Sequence, residues 1–198
     1  MSRLVVCAAI LRAGTVLAAR RTVPSLTGGP WEFPGGKVEP GEDAADALAR
    51  ELREELGVIA RVDEWLGSEP LANGWELRIA TVRLIDGEPQ VTADIHDELR
   101  WLGAAELDTV DWASGDVPFL PQVEALLRAP RRRAVFFEED DAQAVRDALV
   151  AQGWEADLVR ERFANEDDDE DHPWAVVTDA PAFVAELLVD EHDGWLDA

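Results

Sequence analysis

Lysine occurs once in the chain, at Lys37, and cysteine once, at Cys7. A single cysteine excludes an intramolecular disulfide and suits a reducing compartment. Cys7 stands within the apolar run Leu4–Ile10, where a buried small hydrophobe is expected rather than a nucleophile. No run approaches the roughly 18 apolar residues of a membrane span. Met1-Ser2-Arg3 does not open the basic, apolar and small-residue series of a signal peptide, so a cytoplasmic location is expected. Positive charge is scarce as well: 18 basic residues stand against 42 acidic ones, a formal net charge of −24. Such a surface repels phosphate backbones and argues against duplex nucleic acid as a partner. A small phosphorylated substrate remains compatible with it, given metal ions and a few local cations.

The 198 residues are 47% hydrophobic, enough for one ordinary domain and a small second one. Residues 3–12 and 15–21 read as a strand hairpin and Trp31–Phe33 as a short strand ending at Pro34-Gly35-Gly36. Residues 43–56 read as a helix with Ala45, Leu48, Leu52 and Leu56 on its apolar side, and Gly57 stands where a C-cap glycine is expected. Strands follow at 58–66, 75–85 and 99–102, then a helix at 118–127 with Pro118 in its first turn. Residues 129–133 look like a linker. Beyond it the pattern is strand (134–137), helix (142–151), strands (155–163 and 174–178) and helix (180–188), a small α+β layer. Its aromatic residues Phe136, Phe137, Trp154, Trp174 and Phe183 are expected to build a core. The acidic run Glu166–Asp171 reads as a solvated loop and lacks the glycine and spacing of an EF-hand. Net charge is −10 over residues 1–130 and −14 over 131–198.

Chemistry concentrates in residues 36–58. Glu51, Glu54 and Glu55 lie three and four positions apart and project from one helix face. Like charges so placed cost a few tenths of a kcal/mol per pair. Hard divalent cations between the carboxylates offset that cost; Mg²⁺ takes carboxylate oxygens, keeps several waters and bridges phosphates. The Gly35-Gly36 pair before the helix allows close backbone approach to a ligand and leaves carbonyls free for a metal. A solvated acidic helix is the plain alternative for Glu-x-x-Glu-Glu taken alone.

The full pattern resembles the Nudix box. Gly36, Glu42, Arg50, Glu51, Leu52, Glu54, Glu55, Gly57 and Val58 fill all nine of its defined positions. From average residue usage such a match arises by chance roughly once in 10⁸ positions or fewer. The resemblance implies a Nudix α/β/α sandwich with a mixed sheet over residues 1–130, beside a small C-terminal α+β domain at 131–198. It implies Mg²⁺, with Mn²⁺ as a substitute, held by Glu51, Glu54, Glu55 and the Gly35 carbonyl. Arg50 and Glu42 would brace the loop against the helix. Glu54, central among the ligands, is the expected base, with Glu51 and Arg50 beside it.

Further segments resemble the MutT-type nucleoside triphosphate pyrophosphohydrolases: Arg20-Arg21, Trp31–Lys37 and Trp112–Pro118. That resemblance implies phosphate contacts from Arg21 and Lys37 and base recognition by Asp116, with Glu32 also among the substrate-binding residues. Asp116 equally stands where an aspartate caps the helix that begins near Pro118. One departure concerns Ile95, where relatives often carry an acid that helps bind metal or activate water. Asp94, Asp97 and Glu98 are substitutes within a small register shift, and His96 beside them reads as solvated or structural. The implied reaction cleaves a nucleoside triphosphate to monophosphate and pyrophosphate. (d)CTP or its 5-methyl form is the first expectation, 8-oxo-dGTP the second, and a non-catalytic nucleotide sensor the rival of another class.

Overall fold

The structure, a computed structural model, describes residues 3–23, 28–92, 94–129, 131–160, 172–180 and 182–197. It divides into two compact units, Met1–Ala129 and Pro130–Ala198, each with its own core.

The first unit is built on β1 (Leu4–Arg12), whose run of apolar residues has a simple cause: both faces of this strand are covered. Val6, Ala8 and Ile10 pack with Leu48, Leu52 and Leu56 of α1 (Ala44–Leu56). Cys7 and Ala9 face the other way, toward Trp31, Phe33, Phe119 and Val123. β1 runs antiparallel to β2 (Thr15–Arg21) and to β4 (Gly35–Lys37), and parallel to β6 (Glu76–Asp86). β3 (Trp31–Glu32) and β7 (His96–Gly103) pair with β2, and β5 (Ile59–Pro70) with β6. This is a seven-stranded mixed sheet. It lies between α1 and α2 (Leu120–Leu127), the α/β/α layering of the Nudix fold. Each buried leucine of α1 contributes roughly 1.5–3 kcal/mol, which outweighs the repulsion on the helix's acidic face.

Boundaries differ from the sequence pattern in several places. Gly35–Lys37 is a strand rather than a stop, because β1 offers it a free edge: Val5, Val6 and Cys7 pair with Lys37, Gly36 and Gly35. Gly35 has φ 151°, and a Cβ there would strike the Val6 carbonyl, so no other residue fits this pairing. On α1, Ala47 rather than Ala45 is buried with the leucines.

The second unit contains β8 (Arg132–Phe136), α3 (Glu139–Ala151), β9 (Ala156–Arg160), β10 (Trp174–Thr178), α4 (Ala182–Glu191) and β11 (Trp195–Asp197). Its sheet is antiparallel, in the order β11-β8-β10-β9. That order, with one helix between β8 and β9 and another between β10 and β11, is a split β-α-β plait. Arg132 and Arg133 belong to β8, not to a linker, since β10 and β11 pair with them. Phe136 is fully buried as expected, whereas Phe137 is 72% exposed and stacks on Trp195. Residues 161–163, the acidic run Glu166–Asp171 and the Phe183 side chain lie outside the described residues. Among those described, no helix is long and apolar enough to cross a membrane.

Candidate active site

The box folds as a loop that caps its own helix. Asp43 is the N-cap, and its Oδ1 accepts from the Ala45 N–H at 2.8 Å. Gly57, at φ 72°, closes the other end by donating its N–H to the Arg53 carbonyl. Arg50 ties the loop to the helix. Its Nε and Nη2 grip both oxygens of Glu42 at 2.9 and 3.0 Å, and Nη2 also donates to the Lys37 carbonyl at 3.2 Å. Its Nη1 donates to Glu51 Oε1 at 3.0 Å and lies 3.6 Å from Glu54. The fork raises the Arg50 pKa, first through Glu42 and then through Glu51. Glu42 is lowered in turn, chiefly by Arg50 and then by the Glu39 N–H.

The three acidic positions of α1 occupy different environments. Glu54 is open to solvent, its side chain 60% exposed, while that of Glu51 is 17% exposed. Glu51 lies directly against Gly36, where any Cβ would collide with its carboxylate. Glu55 is buried and accepts from the Gly35 N–H at 3.1 Å. Burial raises its pKa to about 7; His96 and the Gly35 N–H oppose the rise, and Glu51 and Glu32 add to it. Among the described residues no three side chains converge into a preformed metal cage. Mg²⁺ needs none, since it keeps waters and takes one or two carboxylates together with substrate phosphates. The all-oxygen donor set suits such a hard cation, whose charge would relieve the repulsion that Glu51 and Glu32 exert on Glu55.

A second acidic group, Glu32 and Asp116, adjoins the first. Trp31 donates to the Asp111 carbonyl at 2.8 Å and accepts from Ala113 at 2.6 Å, which brings the segment 112–116 alongside β3. Asp116 is thereby buried, with Oδ1 facing the Phe33 N–H at 3.4 Å. Burial raises its pKa to about 7, and Glu32 raises it further, against the Phe33 N–H and Arg21. Its side chain makes no capping hydrogen bond, so the helix-cap alternative fails. Glu32 is held from two directions. Arg21 donates to it through Nε at 3.0 Å and Nη2 at 2.7 Å, and His96 Nε2 lies 3.1 Å from Oε1. Cys7 forms the buried floor; desolvation first, then Asp116 and Glu32, hold its thiol well above the usual value, so it is no nucleophile.

The sequence-predicted residues therefore fall into two adjoining groups: Arg50, Glu51, Glu54 and Glu55 with the Gly35 backbone, and Arg21, Glu32 and Asp116. Lys37 is exposed, its Nζ 5.3 Å from the Trp75 ring. The acids around Ile95 do not join either group. Asp97 pairs with Arg20 at 2.6 Å, Glu98 with Arg20 and Arg100, and Asp94 is exposed. His96 was expected to be solvated or structural; it is fully buried and bonded to Glu32. The missed signal is its place at the start of a strand paired with Arg21, which only the sheet register discloses.

Comparison with known proteins agrees with this geometry. Residues 1–123 match the model of the NUDIX domain. A Mycobacterium tuberculosis protein named as an 8-oxo-dGTP diphosphatase is 45% identical over 120 residues, 59% of this chain and 84% of that protein. The CTP pyrophosphohydrolase of Escherichia coli K12 is 39% identical over 126 residues, 63% of this chain and 93% of its own length. Among solved structures, the MutT NUDIX hydrolase of Burkholderia pseudomallei is 30% identical and superposes with a TM-score of 0.54, covering 62% of this chain and 98% of that one. With the box complete, the sandwich formed and the domain model matched over most of the chain, this protein belongs to the NUDIX family.

Proposed function

We propose that this chain hydrolyses a (deoxy)nucleoside triphosphate to the monophosphate and pyrophosphate, with (d)CTP or 5-methyl-(d)CTP as its substrate and nucleotide-pool sanitation as its role. The observation that carries this reading is the juxtaposition of the α1 carboxylates with Glu32 and Asp116: the Phe33 N–H faces Asp116 and, two residues on, the Gly35 N–H is bonded to Glu55. Glu51, Glu54, Glu55 and the Gly35 carbonyl would hold Mg²⁺, or Mn²⁺ in its place. A divalent ion, when bound, neutralises phosphate oxygens and acidifies a coordinated water.

The chain's own groups do the rest. Glu54, the most accessible of the three carboxylates, takes the proton of the attacking water. Arg50 keeps Glu51 and the loop in place through its fork to Glu42. Exposed Lys37 attracts the phosphate chain, and Arg21 serves both Glu32 and the substrate's charge. Asp116 reads the base. Its ionised form accepts from the N4 amino group of cytosine and repels the O4 of uracil or thymine, a discrimination of roughly 1–3 kcal/mol.

The second reading is 8-oxo-dGTP, whose oxidised ring gains an N7–H that a carboxylate also accepts. The 45% identity to a protein named for that activity favours it specifically. A non-catalytic nucleotide sensor is disfavoured, because a binding module does not need a complete box. Product analysis with Mg²⁺ tests the proposal: equal amounts of pyrophosphate and monophosphate are expected. Nucleotide binding without turnover would leave the sensor standing, and release of inorganic phosphate would exclude this mode of cleavage.

A further inference from the structure

We propose that His96 is a positioning residue for substrate specificity: its Nε2–H holds the Glu32 carboxylate in the base pocket and ties it to the C-terminal turn of α1. The inference rests on the reading of Glu32 and Asp116 as the base-recognising pair.

His96 has no exposed surface, and Nε2 lies 3.1 Å from Glu32 Oε1. A carboxylate accepts and does not donate, so Nε2 carries the proton between them. Nδ1 has no hydrogen-bond partner among the described residues. A leucine at the same place would avoid the cost of a buried, unpaired nitrogen, so packing alone does not account for an imidazole here. Arg21, the other group that grips Glu32, stands at the rim with its side chain 58% exposed. The Arg21 fork is partly open to solvent and screened by salt, whereas the His96 bond is fully buried and fixes Glu32 Oε1 from the interior. Orientation of Glu32 therefore depends on His96 as well as on Arg21.

The histidine is itself placed by the catalytic helix. Thr92 Oγ1 donates to the Glu55 carbonyl at 2.6 Å, and the Gln90 N–H donates to the Leu56 carbonyl at 3.0 Å. The Thr92 carbonyl then accepts from both Ile95 and His96 at 2.9 Å. On the far side the Ile95 carbonyl accepts from Thr22 at 2.8 Å, and β7 begins by pairing His96 with Arg21 across a register shift. Gln90 and Thr92 thus anchor His96 to the last turn of α1, and one ring nitrogen reaches Glu32.

The test compares kcat/KM for dCTP over dUTP, a ratio from which the shared triphosphate cancels. Glutamine places its amide nitrogen close to where Nε2 stands; leucine removes the donor. His96→Leu is expected to lower the ratio about tenfold, the scale of one lost hydrogen bond to a charged group. The loss should appear mainly in KM, His96→Gln should recover most of it, and His96→Leu should add nothing to Glu32→Gln. An unchanged ratio in His96→Leu, with Glu32→Gln still losing it, overturns the role of His96 alone. An unchanged ratio in Glu32→Gln overturns the base-pocket reading underneath. Should His96→Leu not fold, ring ¹⁵N spectra of the full-length wild type decide. A protonated Nε2 whose signal moves in Glu32→Gln supports the inference; a proton on Nδ1 with Nε2 bare overturns it.

Discussion

Arg50 and Glu42 face each other as two parallel prongs, Nε on Oε1 at 2.9 Å and Nη2 on Oε2 at 3.0 Å, across the loop that precedes α1. Lysine preserves the charge but presents no fork, so it cannot hold Glu42, Glu51 and the Lys37 carbonyl together. Arg50→Lys is therefore expected to lose turnover about 100-fold, the scale of an ångström's misplacement in a site, with little change in Tm. Steady-state kinetics beside a melting curve measures both. Wild-type kcat in this variant would contradict the bracing role.

Glu54 is expected to matter for chemistry and not for folding. Its side chain is largely in solvent and its ion-pair partner Arg50 is 3.6 Å away. Glu54→Gln keeps the size and removes the charge; turnover should fall at least about 100-fold, as when a positioned base is lost. Near-normal turnover would move the proton-accepting role elsewhere.

Much of this site was legible in the sequence because its parts are local. Helical spacing alone put Glu51, Glu54 and Glu55 on one helix, and Asp43, Gly57 and the leucines give that helix its ends and its buried side. Their unequal environments were not legible, since the groups that act on buried Glu55, the Gly35 N–H and His96, come from β4 and β7. The bond from His96 to Glu32 spans 64 positions and arises from strand pairing, which no local pattern encodes. In the fold, β4 and β11 escaped notice because each is a three-residue strand that exists only through its partner's free edge. The exposure of Phe137 has a related origin: β8 ends at Phe136, and Phe137 finds only Trp195 to pack on.

Asp116 makes stability depend on pH. Its native pKa is about 7 against an ordinary 3.8, so between those values the folded chain keeps a proton that the unfolded chain has lost. Stability must then fall as pH rises from about 4 to about 7, with the penalty complete above that. Asp116→Asn does not titrate and still offers an oxygen to the Phe33 N–H. Its Tm should gain on the wild type across that window, by up to about 2–4 kcal/mol of stability. A gap that stays constant from pH 4 to pH 8 would contradict the buried carboxylate.

Removal of the second unit should spare catalysis. Every residue assigned a role lies before Pro118, the first unit holds its own two cores, and the Escherichia coli relative is matched over 93% of its length without the remaining residues of this chain. A fragment ending at Leu127 is expected to keep kcat within about threefold of the full chain, the range of neutral changes near 0.5 kcal/mol. A folded fragment that binds metal and cannot turn over would show that residues 131–198 complete the site.

The most direct test of the central claim is kcat/KM of the wild type for dCTP, dUTP, dGTP and 8-oxo-dGTP with Mg²⁺ at pH 8, above the raised Asp116 pKa of about 7. Turnover of dCTP exceeding that of dUTP by at least about tenfold, or 1.4 kcal/mol, is the expected result, and Asp116→Asn should erase that preference. A preference for 8-oxo-dGTP over dCTP greater than about tenfold, or a ranking that Asp116→Asn leaves untouched, would contradict the cytosine assignment.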